Sequence, residues 1–105
     1  MSQDGLPSWY KQALHDFLSY LAAVRRLSAH TVDAYQRDLL SFGRFARNHG
    51  ISGFDRIAED HVRRWLAQDR QRARAASSLR RHLSALRTFL DWVATRDGAH
   101  HNPAQ

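Results

Sequence analysis

The stretch AASSLRRHLSALRTFLDWVATRD, residues 75–97, decides the fold. At roughly 100° per residue, Leu79, Leu83, Leu86, Leu90 and Val93 share one apolar stripe, with Phe89 on its edge. Ser77, Arg80, Arg81, Ser84, Arg87 and Thr88 fall on the other side. That spacing predicts one amphipathic helix. Its polar face carries cations and small hydroxyls and holds no acid before Asp91. A solvated helix usually mixes signs and favours Glu–Lys pairs. This face suits a polyanion.

The whole chain agrees with that stretch. Its 105 residues suffice for one small domain, and 43% apolar content permits a packed core. The formal net charge is +6 and the isoelectric point about 11.0. Lys11 is the one lysine among 16 basic residues, and the arginines favour bidentate contacts to phosphate and base edges. Such a charge speaks of partners rather than of fold. Nucleic acid leads, and an anionic membrane surface comes second. With no cysteine, disulfides and thiolate metal sites are excluded. No apolar run approaches the roughly 18 residues of a membrane helix, and MSQDGLPSW lacks the pattern of a secretory signal. A cytoplasmic protein is expected.

Working outward, residues 1–8 read as a flexible lead, Ser8 as a cap and Trp9 to Arg26 as a first helix. Its inward positions are Ala13, Leu14, Phe17, Leu18, Leu21 and Val24. Ser28 is placed to cap a second helix, Ala29 to His49, with Tyr35, Leu39, Phe42 and Ala46 inward and Val32 and Phe45 flanking. Its opposite face holds His30, Ala34, Arg37, Ser41 and Arg44. Gly50 suits a left-handed C′ position followed by an apolar Ile51. Gly43, inside the helix, costs about 1 kcal/mol relative to Ala and points to close approach by a neighbour. Residues 50–58 read as a loop anchored by Ile51, Phe54 and Ile57. A third helix follows from Glu59 to Arg72, with Val62, Trp65 and Leu66 inward, acids in its first turn and Arg70 and Arg72 at its end. Ala73 to Ala76 links it to the fourth helix, which Gly98 ends, and 100–105 reads as an exit linker. The expected fold is all-α, four helices with short links over 9–99.

Chemistry beyond binding finds little support. Seven histidines are scattered at 15, 30, 49, 61, 82, 100 and 101 with no metal-binding spacing, so neither a metal nor another cofactor is expected. There is no nucleophile elbow, P-loop or glycine-rich nucleotide turn. Glu59 and Asp60 diverge by about 100° on a helix instead of converging. Tyr35 has no local activating base, and Trp9, Trp65 and Trp92 sit beside apolar positions, so all four read as packing residues. The basic faces of the second and fourth helices remain. They are either solvated surfaces or the two helices that lie across a duplex. In the latter case Arg37, Arg44, Arg80 and Arg87 neutralise phosphates, Arg81 and Ala34 face base edges, and Thr31, Ser77 and Ser78 bond backbone oxygens beside unpaired amides near the helix starts.

Two stretches resemble a known family. LSAHTVDAYQRDLLSFGRFA (27–46) is similar to the LS-x-x-T-x-x-x-Y-x-x-D-L opening of tyrosine site-specific recombinases, and SSLRRHLSALRTFLDWV (77–93) to their R-x-L-S-A-L-R-x-F-x-x-W helix. NPA (102–104) resembles the close of that domain. The likeness spans residues 12–104 and is greatest to the Xer type. It implies the N-terminal core-binding domain, a four-helix orthogonal, SAM-like bundle whose second and fourth helices dock in the major groove. Residue by residue it points to His30, Thr31, Ala34 and Arg37, then Ser77, Ser78, Arg81, His82 and Arg87. Arg44 and Arg80 join them from the helical-face argument. Asp33 is a departure, since an acid repels phosphate unless it pairs with Arg37 or accepts from a cytosine amino group.

The resemblance also implies partners: double-stranded DNA and, in the full-length protein, a second Xer-type recombinase subunit, with no membrane and no small-molecule substrate. The family's catalytic residues belong to another domain and have no counterpart in this chain, so this segment is expected not to cleave DNA by itself. The full-length protein is expected to resolve chromosome dimers by breaking and rejoining strands. Two other readings stand beside this one: the same domain of a phage or mobile-element integrase, and a helical protein-interaction module whose arginines meet acidic partners. A membrane-surface helix fits least, because each amphipathic segment has partner helices to cover it.

Overall fold

Alternating apolar helices and short polar links produce four α-helices: α1 Ser8–Ala23, α2 Ala29–Asn48, α3 Glu59–Gln71 and α4 Ala76–Asp97. The computed structural model describes residues 5–71 and 76–97, the side chains at 69, 70, 76, 77 and 97 excepted. Among these residues there is no strand, so the all-α class holds. A 3-10 turn, Phe54–Arg56, interrupts the expected loop. The chain groups into two compact units, Met1–Phe54 with α1 and α2, and Asp55–Gln105 with α3 and α4. The expected lead over 1–4, the Arg72 end of α3, the link at 73–75, the Gly98 stop and the 100–105 linker lie outside the described residues.

In the first unit α1 is shorter than predicted. Pro7 takes the N-cap place without a side-chain bond, and its carbonyl accepts from the Tyr10 and Lys11 amides at 3.0 and 2.9 Å. Ser8 is therefore the first helical residue and not a cap. At the other end, Arg26 adopts a left-handed φ of 53°, and the Leu27 amide reaches back to the Leu21 carbonyl at 3.1 Å. This turn reverses the chain before Ser28 and leaves Val24, expected inside, 66% exposed.

α2 begins and ends as its sequence dictates. The Ser28 hydroxyl accepts from the Thr31 amide at 3.2 Å, satisfying one of the orphan donors of the first turn. At the far end Gly50 has φ +64°, with its amide on the Arg47 carbonyl at 3.2 Å and the Ile51 amide on the Ala46 carbonyl at 3.0 Å. That is the Schellman pattern with its following apolar residue, and Ile51 is buried.

Tyr10 joins the two helices. Its hydroxyl donates to the Leu39 carbonyl at 2.6 Å, and its ring lies over Gly43. A Cβ on Gly43 would stand 2.6 Å from both Tyr10 Cε2 and Leu6 Cδ2, which is the close approach the glycine implied. Leu6 thus packs on α2 instead of belonging to a flexible lead. Phe42 and Phe54 lie beside the Tyr10 ring at 6.3 and 6.0 Å, and Trp9 meets Phe54 edge-on at 4.8 Å. Further along, Phe17 meets Tyr35 edge-on at 5.9 Å. Leu14, Phe17, Leu21, Leu39, Phe42 and Ala46 are buried as expected. Leu40, at 0% exposure, and Asp38, at 3%, are buried as well and were not predicted.

In the second unit Val62 and Trp65 are buried and Leu66 half-buried. The Ala58 amide donates to His61 Nδ1 at 2.9 Å, closing the start of α3. On α4 the buried set is His82, Ala85, Leu86, Phe89, Leu90 and Val93, while Leu79 and Leu83 are half-buried. The inward face is thus rotated by roughly 50° from the leucine stripe. Trp65 explains the shift, because its ring stacks on His82 at 5.7 Å with 20° between planes. Trp9 and Trp92 are only half-buried, and Arg96 lies 4.6 Å above the Trp92 ring.

Two predictions follow from Tyr10 and Gly43. Gly43→Ala gains about 1 kcal/mol of helix propensity, but with two side chains 2.6 Å from the new Cβ overpacking costs about 3 kcal/mol, the upper end for such insertions, so thermal denaturation should show a lower Tm; an unchanged or higher Tm contradicts the contact. Burial pushes the Tyr10 hydroxyl well above its ordinary value of 10.0, because the phenolate cannot be solvated there. The unfolded chain then loses this proton first, so its stabilising effect is complete below about pH 10 and is lost as pH rises further. The loss should approach about 1.4 kcal/mol per pH unit. Denaturant titrations at pH 9 to 11 should show this slope in the native chain and a shallower one in Tyr10→Phe.

Candidate nucleic-acid interface

With its inner face committed to α1, α2 leaves one strip outward. His30, Ala34, Arg37, Ser41 and Arg44 fall within roughly 80° of arc. His30, Arg37 and Arg44 are exposed, and Thr31, Ala34 and Ser41 half-buried. Arg37 and Arg44 carry no ion pair among the described residues. Asp33 is exposed beside them and does not pair with Arg37, although four residues separate the two. Thr31 is less available than expected. Its amide is held by Ser28, whose hydroxyl also donates to Thr31 Oγ1 at 3.0 Å.

α4 presents a second strip in its own unit. Arg80, Arg81, Ser84 and Arg87 are exposed, and Ser78 and Thr88 half-buried. Thr88 donates its hydroxyl to the Ser84 carbonyl at 2.9 Å. The side chain of Ser77 lies outside the described set. Arg80 has no ion pair among the described residues. α3 differs: Arg63 and Arg64 both engage Asp60, at 3.5 and 2.8 Å.

His82 departs from the expected site. It is 4% exposed, with its ring against Trp65, and presents no surface to a ligand. The inward rotation of α4 put it inside. It still touches the site, since Arg81 Nη2 lies 3.3 Å from His82 Nε2. Exposed cations also lie outside the predicted set, among them Arg25 and Arg26 between α1 and α2 and Arg47 near the end of α2. Only their charge could have marked them, since none lies on the strip.

These features define a class: an all-helical unit pair with arginine-bearing outer faces on α2 and α4. The family profile "Phage integrase, N-terminal SAM-like domain" matches residues 14–97, and the chain belongs to that family. It is 35% identical over 100 residues to tyrosine recombinase XerC of Proteus mirabilis, covering 95% of this chain and 33% of that protein. It is also 35% identical over 89 residues to tyrosine recombinase XerC of Escherichia coli O1:K1, covering 85% of this chain and 30% of that protein. The chain therefore spans about a third of the length of these relatives. No solved structure matches it. Among the described residues no helix is long and apolar enough to cross a membrane.

The Ser28 cap sets the start of the α2 strip. Ser28→Ala should cost about 1 kcal/mol, a fall in Tm of about 4–8 °C for a domain of this size, while Ser28→Asp should retain most of the stability. Equal Tm values for native and Ala variants would remove the cap from this account.

Proposed function

We propose that this chain grips duplex DNA as the core-binding domain of a XerC-like tyrosine recombinase, with its α2 and α4 strips meeting the phosphates and base edges of a recombination half-site. The observation that carries the reading is the set of exposed arginines on α2 and α4, Arg37, Arg44, Arg80, Arg81 and Arg87. Each cation placed against B-DNA phosphate releases condensed counterions. Arg37, Arg44, Arg80 and Arg87 serve phosphate, and Arg81 and Ala34 face the bases. His30, Thr31 and Ser78 flank them, and Ser77 belongs to the same set by sequence.

The similarity to recombinases named XerC supports the rest of the reading. In it the full-length protein breaks and rejoins DNA strands with a second Xer-type recombinase subunit, resolving chromosome dimers in the cytoplasm. This chain contributes affinity and positioning, and no residue in it is assigned a catalytic role. The name of the matching family favours one second reading, the same domain in a phage or mobile-element integrase. That version keeps the strips and changes the DNA site.

A fluorescence-anisotropy titration tests the proposal, with a labelled duplex carrying a Xer-type half-site, a scrambled duplex, and several salt concentrations. Tighter binding to the half-site is expected. With four arginines on phosphate, log affinity should fall against log salt with a slope of about −3.6. Arg37→Ala should weaken both duplexes alike and reduce the slope by about 1, whereas Arg81→Ala should erase the preference for the half-site. Absence of binding at low salt overturns the DNA reading. Equal losses on both duplexes for Arg81→Ala remove its base-reading role.

A further inference from the structure

Arg81 and His82 are sequence neighbours, so on a regular helix their side chains leave the axis roughly 100° apart. Yet the Arg81 guanidinium turns back to within 3.3 Å of His82 Nε2. A guanidinium has donors only, so Nε2 is the acceptor in this contact. The ring cannot follow the arginine outward. It is 4% exposed and stacked on Trp65, itself 1% exposed. A rigid buried acceptor therefore lies beneath an exposed cation.

We propose that His82 is a positioning residue for DNA recognition, a fixed platform on Trp65 that orients the Arg81 guanidinium before DNA arrives. This rests on the DNA reading above and goes beyond it, because it gives a buried side chain a role in affinity without contact to DNA. Freezing an arginine at an interface costs the equivalent of about 2–10-fold in affinity. A side chain held in the unbound protein has met part of that cost beforehand. The contact also bends Arg81 along the surface of α4, which restricts the directions in which its donor fork can meet a base edge or phosphate.

Two substitutions separate this role from simple core filling. His82→Phe keeps a ring against Trp65 and removes the acceptor. His82→Gln supplies an amide oxygen near the Nε2 position. Each is made with and without Arg81→Ala, checked by circular dichroism and melting, and titrated against the half-site duplex. His82→Phe should bind about 2–10-fold more weakly and His82→Gln should recover most of that loss. In the Arg81→Ala background His82→Phe should change nothing further. Native binding by His82→Phe, or a loss that persists without Arg81, overturns the proposal while leaving DNA binding intact. A native chain that binds no duplex overturns both. Nitrogen-15 NMR of the native chain at neutral pH needs no variant. It should find Nε2 of His82 without a proton, as an acceptor must be, and a proton on Nε2 overturns the platform even where His82→Phe fails to fold.

Discussion

The Tyr10 hydroxyl on the Leu39 carbonyl, with the ring laid over Gly43, is the constraint on which the first unit depends. A buried phenol must be hydrogen-bonded, and a helix carbonyl can accept a second bond only where a neighbour comes close. Gly43, one turn after Leu39, removes the Cβ that would prevent this. Residue, gap and acceptor therefore specify one another and fix which side of α2 turns inward. The outward strip is the geometric remainder: once Leu39, Phe42 and Ala46 face the core, His30, Arg37 and Arg44 must face away.

Charge placement separates the helices by role. In α3 one acid engages two arginines, Arg63 and Arg64, at the helix surface. Exposed pairs of this kind add little stability, but they cancel field. α2 and α4 do the opposite. Arg37, Arg44 and Arg80 face solvent without an ion pair among the described residues, and Asp33 leaves Arg37 alone. Self-repulsion of this kind weakens a fold slightly and brings no packing benefit. In the proposed reading its use lies in a polyanionic partner, where the same charges release counterions.

Signals that act within a few residues were legible in the sequence. The Ser28 cap and the Gly50 reversal with Ile51 behind it depend on backbone chemistry local to those positions, and Gly43 marked a close approach without naming Leu6 and Tyr10 as the partners. Apart from the turn at Arg26, what was missed depends on partners distant in sequence. Arg26 ends α1 early by taking a left-handed conformation that its residue type does not announce. Leu40 and Asp38 are buried because α2 is covered over more than the single stripe that periodicity assigns. On α4 the leucine stripe lies roughly 50° from the centre of the buried face. His82, polar by type, lies inside against Trp65. The candidate surface was therefore mostly legible, since it is what the core leaves over. Its one displaced member, His82, sits where the two faces meet.

That displacement bears on how such a surface works. Several long arginines on one face raise local charge, but each loses rotamer freedom when it is fixed against a partner. Added length and charge alone make a surface that binds any polyanion. Discrimination needs at least one cation with a set direction, because base edges are read by donor geometry and phosphates mainly by charge. A direction can come only from atoms that do not themselves move. On α4 the Trp65–His82 stack places a buried acceptor next to an exposed guanidinium. In the proposed reading His82 touches no DNA and still sets the direction of Arg81.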